Sequence, residues 1–309
     1  MKKVMVTGAA GFIGSNFVRH LLAETDLEVI GYDSLTGISR DLALRGVNST
    51  RFQLVVGNLL DKDLLEESLV GVDTIVHLAA ETHNDFSISS PRPYLDANVV
   101  GTFNLLEAAR KNEIRLHHVS TDEVFGELDL SEEPFTENSK YQPSSPYSST
   151  KAASDFLVRA WHRTYEIPVT LSNCSNNFGM FQSVEKFIPR QITNAIRGMT
   201  MKIYASGENI RDWIHVEDHC RGILLVLEKG SLGETYLFGG DNELSNIQVL
   251  SILMDEMSLD QNSIEVVEDR PGHDFRYAID SSKAKTQLGW RPSHNDFQRD
   301  LRELVSWYR

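Results

Sequence analysis

Val4-Met5-Val6-Thr7-Gly8-Ala9-Ala10-Gly11-Phe12-Ile13-Gly14 decides the fold. The apolar residues at 4–6 read as a buried strand, and an amphipathic helix runs on to about Glu24. Strand, Gly-rich turn and helix in that order make a phosphate cradle. Glycine lets the turn tighten and lets backbone N–H groups and the helix N-terminus approach a pyrophosphate. The spacing is G-x-x-G-x-x-G rather than the more familiar G-x-G-x-x-G, and a plain helix-start turn would look the same. The following segment separates the two. Residues 27–32 read as a second strand, and Asp33 falls about 20 residues after the turn. An acid there accepts hydrogen bonds from ribose hydroxyls and repels a 2′-phosphate, which favours NAD over NADP.

The alternation continues outward. Residues 52–56 form a third strand ending at Gly57-Asn58, and 61–69 a short helix. A fourth strand at 74–80 exits on the small residues Ala79 and Ala80, which suit close approach of a cofactor or tight packing. A long helix at 91–111 has proline near its first turn. Its apolar residues cover more than one stripe, so it is buried on two sides. A sixth strand lies at 168–172, and 173–179 is an amide-rich loop. Helices follow at 187–197, 216–228, 246–257 and 296–308. The fold class is α/β: a Rossmann-type doubly wound parallel sheet with a smaller, discontinuous C-terminal domain. Residues 1–173 form the NAD-binding domain, which also receives segments near 209–228. Residues 174–309 are mainly substrate-binding.

Two constellations carry chemistry. The apolar run from Ile114 ends in Ser120-Thr121-Asp122-Glu123-Val124-Phe125-Gly126. Adjacent residues on a continuing strand point to opposite faces. Asp122 and Glu123 can serve one substrate only if the strand has stopped and the chain is turning. The second is Tyr147-Ser148-Ser149-Thr150-Lys151, where Tyr147 and Lys151 share a helix face at i and i+4. A free phenol, with a pKa of about 10, becomes a base near neutrality only if a cation stabilises the phenolate. Lys151, helped by a positive nicotinamide, can supply it. Beyond the cofactor half, Lys186, Arg190, Arg211 and Arg270 are scattered cations. Singly each reads as a surface ion pair; together they suggest a second, phosphate-bearing ligand, the substrate.

The 309 residues carry a formal charge of −14, which speaks against a nucleic-acid-binding surface. Cys174 and Cys220 are the only cysteines, so a disulfide framework is not expected and a reducing cytoplasm is. No apolar run approaches a membrane span or a signal peptide. No metal-ligand set is read.

With these residues laid out, the chain resembles the extended short-chain dehydrogenases/reductases, and more narrowly the dTDP-glucose 4,6-dehydratases. The motifs are T-G-A-A-G-F-I-G at 7–14, H-L-A-A-E-T-H at 77–83, S-T-D-E-V-F-G at 120–126, Y-S-S-T-K-A-A-S-D at 147–155, N-C-S-N-N-F-G at 173–179, N-I-R-D-W-I-H-V-E-D-H at 209–219 and D-R-P-G-H-D-F-R-Y-A-I-D at 269–280. The resemblance implies a redox-neutral hydro-lyase acting on a nucleoside-diphosphate-glucose. Tyr147, set by Lys151 and assisted by Thr121, takes the 4-hydroxyl proton. Glu123 removes the C5 proton while Asp122 protonates the departing 6-hydroxyl. It also implies cofactor contacts at Gly8, Gly11, Phe12, Ile13, Gly14, Asp33, Asn58, Leu59, Ala79, Ala80, Asn98, Tyr147, Lys151 and Asn177. Substrate contacts are implied at Thr82, Thr121, Asn176, Lys186, Tyr204, Arg211, Asn246, Arg270 and His273, and a homodimer through the helices 91–111 and 147–165.

Departures from the family pattern are visible. The chain reads His83-Asn84-Asp85-Phe86-Ser87-Ile88 where H-V-D-R-S-I is usual, so Phe86 stands at the arginine position. Asn58 replaces an aspartate, Phe125 and Phe178 replace tyrosines, and the loops at 34–51 and 127–146 look shorter. Rival readings share the Gly turn, and a 4-epimerase shares Tyr147/Lys151 as well. A 4-epimerase needs no acid pair, a UDP-glucuronate decarboxylase has serine in place of Asp122, and a non-catalytic NAD sensor loses the Tyr/Lys pair.

Overall fold

The computed structural model describes residues 1–36 and 43–309. Residues 37–42 of the loop expected to be short at 34–51 therefore lie outside the described residues. In chain order the elements that position the site begin with β1 (Lys3–Thr7), α1 (Phe12–Glu24), β2 (Glu28–Asp33), β3 (Phe52–Val56), α2 (Lys62–Ser68), β4 (Thr74–His77) and α3 (Asn84–Ser89). The stretch expected as one long helix is α4 (Arg92–Tyr94), a π-helical segment (Leu95–Gly101) and α5 (Thr102–Lys111). Then come β5 (Arg115–Thr121), a 3-10 turn (Asp122–Phe125), α6 (Pro146–Tyr165), β6 (Val169–Cys174) and β7 (Asn176–Phe178). The remainder comprises α7 (Phe187–Ile196), β8 (Met201–Tyr204), β9 (Ile210–His215), α8 (Val216–Lys229), β10 (Thr235–Phe238), β11 (Glu243–Ser245), α9 (Asn246–Met257), β12 (Ile264–Val267) and α10 (Phe297–Tyr308).

Seven parallel strands form the main sheet in the order β10-β6-β5-β4-β1-β2-β3. Residue alternation drives it. Val4 and Val6 point to one face, among Phe17, Leu21 and Ile223, while Met5 points to the other, among Leu105, Leu116 and Val158. Both faces are covered, which is why the strands read as continuous apolar runs. The order reverses at β1, which pairs with both β2 and β4. Where neighbouring strands continue to opposite sides, a crevice opens at their carboxyl ends.

The second half of the chain departs from the expected rhythm. Strand β10 returns to the main sheet beside β6, and α8 packs on α1. The stretch 173–179 is not a loop: β6 runs through Cys174 and β7 pairs with β9. Its amides are absorbed locally, since Asn173 Nδ2 donates to the Thr121 carbonyl and to Asp155. A three-stranded sheet (β11-β9-β7) and a two-stranded one (β12-β8) support the remainder around Ile192, Trp213, Leu250 and Leu301. No helix among the described residues is long and apolar enough to cross a membrane.

Candidate active site

The Gly-rich turn is forced by backbone contact. Gly8 has φ +70°, and a Cβ there would lie 2.7 Å from the Ala79 nitrogen; a Cβ on Gly14 would lie 2.0 Å from the Gly8 carbonyl oxygen. The turn thus sits directly against the exit of β4, where sequence reading placed Ala79 and Ala80. Asp33, buried at the end of β2, accepts from the Ala10 amide at 2.9 Å and from the Leu35 amide at 2.9 Å. One carboxylate therefore ties the turn to the exit of the second strand.

A cavity of about 370 Å³ opens above this crevice. Of the residues expected at the cofactor, Gly8, Gly11, Phe12, Ile13, Gly14, Asp33, Asn58, Leu59, Ala79, Ala80, Tyr147, Lys151 and Asn177 line it. Asn98 does not. It sits in the π-helical segment, where its side chain both donates to and accepts from the Glu81 backbone, and it also donates to Thr150. It shapes the wall from behind. Such π segments commonly occur at functional positions. Asn177 is similarly occupied, bonded to Ser175, Cys174 and His219. The Asn176 Oδ1 and Ser175 Oγ atoms are buried in the chain with no partner of their own. A glycine cradle, a buried carboxylate at the end of β2 and unpartnered polar atoms on the cavity wall fit NAD.

Strand β5 stops at the acid pair, as its chemistry requires. Thr121 caps the 3-10 turn by accepting from the Glu123 amide at 3.3 Å, and Asp122 and Glu123 then line one cavity. Asp122 is 2 % exposed; its Oδ1 accepts from the Thr121 hydroxyl at 3.1 Å, and its Oδ2 has no partner. Burial, then the charge of Glu123, holds its carboxyl well above the usual carboxylate range. That direction is the one a general acid needs.

Tyr147 stands in the first turn of α6, whose start is set by Pro146 and a Ser145/Ser148 capping box. Its phenol is pushed well above its ordinary value, first by burial and then by Glu123, Cys174 and Asp122. Lys151 lies on the same wall, but its ammonium donates to the Val119 carbonyl at 2.9 Å, and burial lowers its pKa. Burial and the two acids thus work against the phenolate, and a positive charge beside the phenol would work for it. Beneath it, His118 Nε2 meets Asp155 Oδ1 at 3.1 Å and the Tyr141 hydroxyl donates to Asp155 Oδ2 at 2.8 Å. Cys174 was missed in sequence reading. Only the β5–β6 register, which pairs Thr121 with Cys174, brings it to the cavity wall.

Of the expected substrate residues, Thr82, Thr121, Asn176 and Lys186 line the cavity. Lys186 Nζ donates to the Thr82 carbonyl at 2.7 Å. Tyr204, Arg211, Asn246, Arg270 and His273 do not line it; four of them gather at an adjoining end. Tyr204 donates to Asp85 at 3.0 Å, Arg270 lies 3.7 Å from the same carboxylate, and the Tyr204 and His273 rings pack at 5.7 Å. Burial and the charges of Arg270 and Arg211 lower the His273 pKa, which places all three in one field. Arg211 is buried, bonded to the carbonyls of Ile210, Asp274 and Phe275, and stacked over Tyr277; no carboxylate pairs with it among the described residues. Asn246 stands at the start of α9, with its backbone N–H on Asn209. Phe86 is exposed and stacks on His83 at 4.2 Å.

Among the described residues, His215, Glu217 and His294 form one grouping with metal-ligand side chains. The two imidazoles lie face to face, 3.7 Å apart and 16° from parallel. Their lone pairs run in near-parallel planes, so no single ion at about 2.1 Å lies along both.

A family model described as GDP-mannose 4,6 dehydratase matches residues 5–304. The chain belongs to that family. It is 48% identical over 309 residues to the dTDP-glucose 4,6-dehydratase of Mycolicibacterium smegmatis, covering 99% of this chain and 93% of the relative. A solved dTDP-glucose 4,6-dehydratase of Streptomyces venezuelae with NAD bound superposes with a TM-score of 0.95 at 45% identity, covering 99% of this chain and 97% of that one. A UDP-glucuronic acid 4-epimerase of Bacillus cereus superposes nearly as well, with a TM-score of 0.93 at 27% identity, covering 99% and 100%. The family fold therefore does not separate dehydratase from epimerase. The acid pair at the end of β5 has to do so.

Proposed function

We propose that the chain is an NAD-dependent hydro-lyase that converts dTDP-glucose to its 4-keto-6-deoxy sugar. The carrying observation is the pair at 122–123: a buried carboxyl with one unpartnered oxygen beside a second carboxyl, both facing the cavity that holds Tyr147. Elimination of water needs an acid and a base in opposite starting states. An epimerase needs neither. The thymidine nucleotide rests on the relatives at 48% and 45% identity.

NAD, held by the Gly8–Gly14 turn and the residues at the exits of β2 and β4, would supply a reversible two-electron store for hydride moved between the sugar's C4 and C6. The chain does the rest. Tyr147, once its phenol is offset by positive charge, takes the 4-hydroxyl proton, with the Thr121 hydroxyl beside it. Glu123 takes the C5 proton, acidified by the neighbouring ketone, and later returns it. Asp122 gives its proton to the departing 6-hydroxyl, and the absence of a partner on Oδ2 leaves that oxygen free to reach it. Arg211, Arg270 and Lys186 hold the diphosphate. The first 173 residues, with the returning α8 and β10, serve the cofactor, and the remainder serves the nucleotide.

We infer a cytoplasmic homodimer as well. Leu95, Val100 and Phe103 on the 92–111 stretch and Phe156 and Tyr165 on α6 are exposed apolar residues, and Phe103 packs edge-on against Trp161 of α6. A second copy covering that face accounts for a helical stretch that is apolar on two sides. The test of the reaction is dTDP-glucose deuterated at C4. The label is expected at C6 of a 4-keto-6-deoxy product; an epimer, a pentose or unchanged substrate would refute the reading.

A further inference from the structure

We propose that Asn84 is a positioning residue for Glu123, a role that rests on the dehydratase reading. Its Nδ2 donates to Glu123 Oε2 at 2.8 Å. Its Oδ1 accepts from the Ser145 hydroxyl at 2.9 Å. The carboxylate, which only accepts, settles which end of the amide faces it, and the Ser145 hydroxyl is then left to donate to the other end. Reversed, the amide would set its oxygen against Glu123, and two acceptors would face each other.

Ser145 is no incidental anchor. It caps α6, two residues before Tyr147, and accepts from the Ser148 amide at 3.1 Å. Helix α3, which begins with Asn84, is fixed to the same place a second time, because the Tyr147 amide donates to the Ser87 hydroxyl at 3.3 Å. Asn84 thus joins the carboxylate that takes the C5 proton to the start of the helix that carries the phenol. The two groups must act on neighbouring carbons of one hexose, and a shared strap fixes their separation. The next residue, Asp85, reaches the other way, to Tyr204 and Arg270. Helix α3 therefore spans from the base to the cationic end of the site.

The contact needs a donor at this position. Valine can fill the space but cannot donate. Without the donor, Glu123 is free to rotate, and misplacement of a reacting group by about 1 Å costs on the order of a hundredfold. Aspartate at 84 keeps the shape but sets a like charge against Glu123, which raises the proton affinity of the pair.

The test is single-turnover absorbance of the NAD-loaded enzyme with dTDP-glucose, resolving the rise of NADH from its decay. Asn84→Val is expected to slow the decay, which follows water loss, about tenfold or more, while the rise stays within about twofold of the parent. In Asn84→Asp the acidic limb of the decay rate should move to higher pH, a shift that a merely structural role would not produce. Equal slowing of rise and decay in Asn84→Val, or unaltered decay with an unmoved pH profile in Asn84→Asp, overturns the role of Asn84 alone. A parent enzyme that never forms NADH from dTDP-glucose overturns the dehydratase reading, and this role with it.

Discussion

Replacing Asp122 by asparagine should separate the two halves of the reaction. The side chain is 2 % exposed, one oxygen accepts from Thr121, and the other has no partner. Asparagine is nearly isosteric and keeps one acceptor for the Thr121 hydroxyl, so the wall of the cavity should survive. What is lost is a transferable proton at the oxygen facing the substrate. A positioned general acid contributes about 10²–10⁴-fold, or about 3 to 5 kcal/mol of barrier at 1.36 kcal/mol per tenfold. Water loss should slow by that factor, while NAD reduction, which needs Tyr147 and not Asp122, should change less than about threefold. Stopped-flow absorbance would show NADH forming and persisting. The same variant carries a stability signature. The folded-state pKa of Asp122 is raised, so its contribution to stability is fully present below the unfolded value of about 3.9 and is lost as pH rises through the folded one. Asparagine has no proton to lose, so the melting temperature of the variant relative to the parent should climb with pH. NADH decay at the parental rate would refute the assignment of Asp122 as acid. A melting difference that does not vary with pH would refute its neutral buried state.

Three other outcomes are expected. Gly14→Ala forces a Cβ to within 2.0 Å of a backbone oxygen, and overpacking of this kind costs about 1–3 kcal/mol; the purified variant should melt lower and carry no NAD, which denaturation and absorbance would reveal. Asp155→Ala removes the buried acceptor shared by His118, Tyr141 and Asn173 and the neighbouring negative charge that helps keep Lys151 ionised; loss of one partner of a buried charged group costs about 3–5 kcal/mol. Burial alone would raise the Asp155 carboxyl, but His118 and Lys151 draw it below its ordinary value, so the deficit measured by denaturant titration should be full above about pH 4 and shrink as pH falls further. Phe156→Lys, on the exposed face of α6, should convert a dimer into monomers in light scattering without unfolding the chain.

The deciding local features were legible without coordinates. A glycine turn between strand and helix, an acid at the end of the next strand, a phenol and an amine one helical turn apart, and two carboxyls after an apolar run are short-range patterns. Backbone sterics and helix geometry act over a few residues, so such patterns can be read from order alone. The helix at 246–257 was legible to its ends for the same reason, since its start is a Ser245/Gln248 capping box. Long-range placement was not legible. That β10 closes the sheet beside β6, that Cys174 stands level with Thr121, that Asn98 braces Glu81, and that Asn84 and Asp85 reach Glu123 and Arg270 all depend on which strands become neighbours. Those pairings follow from burial of two sheet faces by the whole chain, and no segment carries that information by itself. The sequence alone determined which chemical groups were available; only the tertiary packing decided which of them share a wall, and so which proton each can move.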